Sequence, residues 1–219
     1  MKRRFQRGDP YVAHMTSWIV QTGRELKPDR QQAESFLQAL DAEDQPFSFR
    51  TFSDSAYTRR GSEDPLEKAL HGSLADCWES LVQLNSKGAV ITATINQTNG
   101  IGRRVEDICR VRAIFIDDDL GVDVERFTVQ PHIQVETSPD HYHYYWRVED
   151  FPLSQFQTCQ QLLARRYQGD SRVQALNQSM QLPGFWRRKR LSHPRLPRIM
   201  AISEAPPLDR RLVEKLVGG

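Results

Sequence analysis

The apolar positions of this chain change period several times, and each change marks an element. In residues 29–41, DRQQAESFLQALD, Ala33, Phe36, Leu37 and Leu40 recur at helical spacing behind Asp29, a residue type suited to the N-cap, which predicts an amphipathic helix. FSFRTF at 47–52 reads as a strand. A longer helix is expected to open at Asp64 with Pro65 in its first position, to carry Leu70, Leu74, Trp78, Leu81 and Val82, and to close near Gly88. AVITATI at 89–95 is the next strand, NQTNGIGRR at 96–104 a turn-rich basic loop, and RVRAIFIDDDL at 110–120 an apolar strand that runs directly into three aspartates. Further strands are expected at 131–137, PHIQVET, and 141–148, HYHYYWRV. A last helix follows, with Ser154 and Gln157 as a capping box and Phe156, Cys159, Leu163 and Tyr167 along one face. No repeat or low-complexity linker interrupts the series, so one compact α/β unit is expected.

The acidic strand end is the first feature with chemical content. Strand side chains alternate faces, so Asp117 and Asp119 project to one side with Cα atoms about 6.6 Å apart, while Asp118 points away. Two carboxylates that close repel each other unless a cation lies between them, and hard divalent ions take oxygen ligands. The alternative is an acidic turn that merely caps the strand. In HYHYYWRV, Tyr142, Tyr144, Trp146 and Val148 form an apolar face, which leaves His141, His143, Tyr145 and Arg147 on the chemical one. Ser138 and Pro139 turn the chain just before it.

Composition narrows the function classes. Of 219 residues 26% are charged and 38% hydrophobic, with a net charge of only +2, so the basic residues matter through their placement. They crowd at 187–190, RRKR, and again at Arg195 and Arg198, where they follow Pro183, Gly184, Phe185 and Trp186. Aromatics beside arginines suit stacking on bases and neutralising phosphates, although a charge run is more often a solvated loop. Three scattered cysteines without a CxxC pair fit a reducing, cytoplasmic setting. No apolar run reaches the roughly 18 residues of a membrane span, and the N-terminus lacks the apolar segment of a secretion signal.

Taken in order, FSFRTFSDS (47–55), LHGSL (70–74), ATINQTNGIGRR (93–104), VRAIFIDDD (111–119), ETSPDHYHYYW (136–146) and GD (169–170) followed by QLPGFWRRK (181–189) resemble the RepB-type DNA primases of plasmids and phages, within the archaeo-eukaryotic primase superfamily. The resemblance covers about Ala33 to Arg198. It implies an α/β (α+β) fold, a two-lobed primase core whose catalytic sheet is antiparallel and related to the RNA-recognition fold, flanked by helices. Residues 1–28 would then be an N-terminal extension and 29–219 a single primase-polymerase domain.

By the same resemblance Asp117 and Asp119 would be metal ligands for nucleotidyl transfer, with Asp170 as the third carboxylate, holding two divalent ions, magnesium or manganese. His143 would contact the phosphates of an incoming nucleotide, with His141 as bystander. Ser138 and Arg103 match motif positions at the nucleotide, and Lys189 matches the lysine that closes the Leu-Pro-Gly segment. Phe185, Trp186, Arg187, Arg188 and Arg190 would carry the single-stranded DNA template. The implied activity is template-directed primer synthesis from NTP or dNTP substrates, with a separate replicative helicase or initiator opening the duplex. The sequence departs from the pattern at Ala175, Gln178 and Gln181, where an aspartate and two arginines are expected; each change removes a charge. Two other classes remain open: a catalytically inactive replication initiator or single-strand binder of the same fold, and a phosphohydrolase of the haloacid dehalogenase kind, which also places Asp-x-Asp at a strand end.

Overall fold

The computed structural model describes residues 26–43, 46–54, 64–118, 121–188 and 193–218, and the fold below is that of these residues. They form four α-helices and ten strands arranged as two four-stranded antiparallel sheets and one short hairpin. Of the expected N-terminal extension, residues 1–28, only 26–28 are among them.

The helix expected after Asp29 is α1, Arg30–Leu40. Asp29 caps it by accepting the N–H of Gln32, and Ala33, Phe36, Leu37 and Leu40 are buried. The chain then enters β1, Phe47–Ser53.

The long helix expected from Asp64 divides into two elements. Lys68–Gly72 is an edge strand, β2, paired with β1, and the helix proper, α2, spans Leu74–Ser86. Ser73, not Asp64, caps α2 by accepting the Asp76 N–H, because Gly72 sits at φ 143° and turns the chain out of the strand. Asp64 serves the sheet instead, accepting the N–H and hydroxyl of Ser53 and the N–H of Leu66. Leu70 therefore packs from a strand onto Phe49, its cross-strand partner.

The first sheet has the order β2-β1-β3-β9, with β3 at Ala89–Thr94 and β9 at Ser179–Gln181. One face, with Phe47, Phe49, Ile91 and Ala93, packs into the core beside α2, whose Leu74, Cys77 and Leu81 are buried. The other face carries Phe52, Arg50, Val90, Thr92 and Gln181. A short hairpin, β4 at Gln97–Thr98 and β5 at Ile108–Arg110, holds the basic loop.

The second sheet has the order β10-β7-β8-β6: β6 Ala113–Asp118, β7 Ile133–Ser138, β8 His141–Arg147 and β10 Arg198–Ile202. Helix α3, Leu153–Tyr167, guards the open edge of β6. Gln160 accepts the N–H of Phe115 and donates to its carbonyl, so the exposed edge finds a partner in a side-chain amide. The expected Ser154–Gln157 capping box does not form. Pro152 occupies the N-cap and Ser154 lies inside the first turn. Helix α4, Arg210–Val217, packs beside α3 and receives the Tyr167 hydroxyl at the carbonyl of Leu216.

Helix α1 ties the two sheets together. Phe36 meets Tyr145 of the second sheet edge to face at 5.2 Å, while the Asp29 N–H donates to the carbonyl of Gly184, just past β9. At the other end of α1, buried Asp41 accepts hydrogen bonds from Arg110 and Arg112, which fixes the hairpin and the start of β6.

Candidate functional site

A cavity of about 570 Å³ opens between the two sheets. One wall comes from the second sheet and its turn, with Asp117, Ser138, Pro139, His141 and His143. The facing wall comes from the first sheet and the segment after it, with Thr92, Gln178, Gln181, Arg187, His193 and Arg195. Asp117, His143, Ser138 and Arg187, all singled out from the sequence, thus share one space.

The three aspartates at the end of β6 have separable tasks. Asp117 lines the cavity with its carboxylate partly exposed. Asp118 points away, as alternation requires, but into protein, 2% exposed, where its carboxylate accepts the N–H groups of Gly121 and Val122 at 2.7 Å each. The capping alternative is correct for Asp118 and does not extend to Asp117. Asp119 lies outside the described residues.

Cross-strand pairing places His143 directly opposite Asp117, with Nε2 3.4 Å from Oδ1. The other ring nitrogen, Nδ1, lies 3.1 Å from the hydroxyl of Tyr145. Burial, with the Asp117 charge adding to it, holds the Tyr145 hydroxyl well above its ordinary pKa. A carboxylate only accepts, so Nε2 facing Asp117 suits an Nε2–H tautomer, with the Tyr145 hydroxyl donating to Nδ1. The polar face read from HYHYYWRV needs one correction. Tyr145 is fully buried beneath α1, so only the His141–His143 half of that face reaches the cavity. A strand can bury both faces where helices cover it.

Asp170 arrives at Asp117 by way of the chain after α3. Gln168 adopts a left-handed conformation, and the Asp170 N–H then donates to the Asp117 carbonyl at 2.9 Å along the outer edge of β6. Its carboxylate is gripped by Arg172, whose Nη2 approaches Oδ2 at 2.7 Å, and these bonds hold the Asp170 carboxyl below its usual range. Asp170 stands beside the cavity and is not part of its lining.

On the facing wall, Arg187 is held from two sides. Its guanidinium contacts both carboxylate oxygens of buried Asp54 at 3.1–3.2 Å, and Nη1 donates to Oε1 of Gln181 at 2.7 Å. Gln181 and Gln178, the two neutral departures from the family pattern, both line the cavity, where Arg187 and Arg195 supply positive charge. Asp54, which orients Arg187, was not singled out; its one signal was its place in FSFRTFSDS.

Three of the expected template contacts are corrected or redefined. Phe185 is 1% exposed and packs on Trp78 at 5.2 Å, so it cannot stack on a base. Arg188 is 4% exposed, donating to the Ser86 carbonyl and, from its main chain, to Asp54, and it cannot face a template. Arg187 faces the cavity instead of an open loop. Trp186 is half-buried, with its indole N–H on the Lys27 carbonyl and its main chain locked to Asn85. The aromatic and basic run serves as a clasp because an apolar helix, α2, lies directly under it. Arg103 sits in the β4–β5 loop outside the cavity lining, its pKa lowered by burial and by the neighbouring Arg50. Lys189 and Arg190 lie outside the described residues.

Asp117 offers the cavity a carboxylate of the kind that a hard divalent ion such as magnesium or manganese takes, while the Asp170 carboxylate is held by Arg172 beside it. Among the described residues no three His, Cys, Asp or Glu side chains gather closely enough to form a full ligand set.

Residues 76–197 match the family model described as the RepB DNA-primase N-terminal domain. Among solved structures, the AEP domain of the cyanophage S-2L primase-polymerase superposes with a TM-score of 0.68 at 17% identity, covering 87% of this chain and 98% of that one. The catalytic domain of primase RepB′ in complex with initiator DNA gives 0.62 at 18% identity over 86% and 94%. A crystal structure of primase RepB′ gives 0.61 at 16% identity, covering 85% of this chain and 61% of that one. No curated protein sequence matches. The two-sheet architecture is thus the archaeo-eukaryotic primase fold expected from the motifs.

Proposed function

Because this chain belongs to the RepB DNA-primase family, we propose that it is a metal-dependent nucleotidyltransferase that makes primers on single-stranded DNA for the replication of a plasmid, phage or other mobile element. One observation carries the reading: a carboxylate, Asp117, faces a cationic wall of Arg187 and Arg195 across a cavity wide enough for a nucleotide. That is the charge pattern a triphosphate and its metal require. The phosphohydrolase alternative falls away with family membership.

Divalent ions held by Asp117, with Asp170 and Asp119 contributing, would neutralise the triphosphate and lower the pKa of the attacking 3′-hydroxyl. The protein supplies positioning and charge. His143 presents Nε2 to the Asp117 side of the cavity, with Nδ1 against the buried Tyr145 hydroxyl. Arg187, clamped by Asp54 and Gln181, presents a pre-oriented guanidinium to the phosphates. The NTP or dNTP substrates, the cytoplasmic setting, the separate helicase or initiator and the extent of the catalytic domain belong to this same proposal. Among the described residues no helix is long and apolar enough to cross a membrane.

The deciding experiment is template-directed synthesis on single-stranded DNA with magnesium or manganese, with and without a primer, comparing wild type with Asp117→Ala. Metal-dependent products from wild type alone support the reading. The neutral Gln178 and Gln181 in the cavity favour the second reading, a fold-conserving single-strand binder. Template binding without synthesis, unaffected by Asp117→Ala, would establish it.

A further inference from the structure

With Phe185 and Arg188 buried, two of the expected template contacts fall away, and the face of the first sheet beyond the cavity carries a second cluster of cations. Arg50, Thr92 and Gln181 are direct cross-strand neighbours on β1, β3 and β9, so their side chains rise from one face in a row. Thr92 and Gln181 line the cavity, and Arg50 continues the row past its rim. Arg103 reaches the same place from the β4–β5 loop, close enough that the Arg50 charge, together with burial, depresses its pKa.

This cluster is under-neutralised. Arg50 donates from Nη2 to Glu67 at 2.9 Å, yet its Nε is buried with no partner among the described residues. Among the described residues the Arg103 guanidinium has no ion pair of its own, and it shares the charge of Glu67 with Arg50. Two guanidinium groups with one carboxylate leave net positive charge and an orphan buried donor, a deficit that an anion would satisfy.

The loop that presents Arg103 is built to hold its shape. Asn99 accepts the N–H groups of Ile101 and Gly102 at 2.9 and 3.2 Å, and Asp107 accepts the Arg104 N–H at 2.8 Å. A Cβ on Gly102 would stand 2.1 Å from Oδ2 of Asp107, so a side chain there would displace the carboxylate that holds Arg104. Asn177, next to Gln178 of the cavity wall, donates to the Arg103 carbonyl at 3.0 Å and fastens the loop to the site. At the tip Ile101 is 84% exposed, an apolar side chain offered to solvent beside two arginines.

The geometry points to a second binding site, a strip over Arg50 and Arg103 ending at Ile101, which takes the backbone phosphates of the single-stranded DNA template while the cavity takes the nucleotide. The inference rests on the primase reading for the identity of its ligand. The row from Gln181 to Arg50 crosses two inter-strand gaps, about 10 Å, and continues past the cavity rim, the course that a strand leaving the cavity would take. Arg103, tied by resemblance to the nucleotide, is thereby assigned to the template.

The test is fluorescence anisotropy with a labelled oligothymidine of about 15 nucleotides, within the site sizes of single-strand binding folds. Arg50→Ala/Arg103→Ala is expected to weaken binding about tenfold and to make the salt dependence shallower by about 1.4 in slope, two phosphate contacts at about 0.7 each. In synthesis assays the loss is expected in the KM for template, not for nucleotide. Glu67→Gln, which removes the one carboxylate at the pair, is expected to tighten binding, a sign that damage to the fold does not mimic. Unchanged affinity and slope in the double variant, no tightening in Glu67→Gln, or a raised nucleotide KM with unaltered DNA binding would each overturn the strip. If wild type makes no product but its DNA binding depends on Arg50 and Arg103, the catalytic reading fails and the strip stands.

Discussion

The main-chain N–H of Asp170 donates to the carbonyl of Asp117 at 2.9 Å, so a residue that follows α3 is locked to the outer edge of the strand that carries the cavity carboxylate. This bond makes the spacing of the two acidic residues a property of the fold. A strand edge and a crossing segment set it, and no side-chain rotamer is involved. Replacing Asp117 by Asn keeps the shape and removes the charge, so primer synthesis is expected to fall by about a thousandfold. Manganese is expected to raise the melting temperature of the wild type and not that of this variant. Calorimetry with and without the metal reads this independently of turnover.

The neighbouring carboxylate should behave in the opposite way. Asp118 holds the Gly121 and Val122 N–H groups from a buried position, so Asp118→Ala leaves both donors unsatisfied. The expected cost is about 1–3 kcal/mol of stability, seen as a lower denaturation midpoint. Unlike the Asp117 variant, it is expected to retain substantial synthesis below its own melting transition.

Arg172 gives a pH-dependent outcome. It depresses the Asp170 pKa, so the pair contributes stability that is present above the ordinary carboxylate pKa and lost as pH falls through the lowered one. Arg172 is largely exposed, which limits the contribution to about 1 kcal/mol. Arg172→Ala is expected to be slightly less stable than wild type at neutral pH, with the difference closing below about pH 4. Freed of its partner, Asp170 becomes available to a metal, so the variant should bind manganese more tightly in calorimetric titration.

How much of this was legible in the sequence depended on whether the controlling contact was local. Asp29 as a cap, the α1 stripe, β3 and β8 follow from neighbours in the chain; the cap and stripe stand as expected, and each strand ends one residue early. Asp117 and the His141–His143 face follow from strand alternation, a two-residue rule, while His143 is singled out from that pair by the family resemblance; the pairing of Asp117 with His143 required only that β6 and β8 be adjacent. The misreadings have a common cause. Leu70 satisfied a helical stripe, but pairing with β1 took it as a strand residue, a long-range contact that outweighed the local pattern. Phe185 and Arg188 carried nucleic-acid chemistry in composition, yet α2 and Asp54, more than a hundred residues earlier, bury them. Asp54 was missed for the same reason, since its task is defined by Arg187.

Gly184 tests how α1 is seated. It adopts φ +84°, and a Cβ there would fall 2.2 Å from the Asp29 carbonyl oxygen. Gly184→Ala therefore meets both backbone strain and a clash with the first turn of α1. The expected destabilisation is about 2–4 kcal/mol, larger than for a positive-φ glycine in open space such as Gly121. Comparing Gly184→Ala with Gly121→Ala by chemical denaturation separates the two contributions.

Phe185 decides between core and interface for the Leu-Pro-Gly-Phe segment. If its ring stacked on template bases, truncation would weaken DNA binding while sparing the fold, by about 1–3 kcal/mol per base. The structure instead buries it against Trp78 on α2, beneath a main chain fixed by Asn85. Truncation should then open a cavity in the core of the first lobe. Phe185→Ala is expected to cost about 3–5 kcal/mol of stability, and Phe185→Leu, which keeps most of the volume, about 1.5 kcal/mol or less. Oligothymidine affinity, measured well below the melting transition, should match wild type in Phe185→Leu. Normal stability with lost affinity in that variant would return the aromatic pair to the template and displace the strip over Arg50 and Arg103.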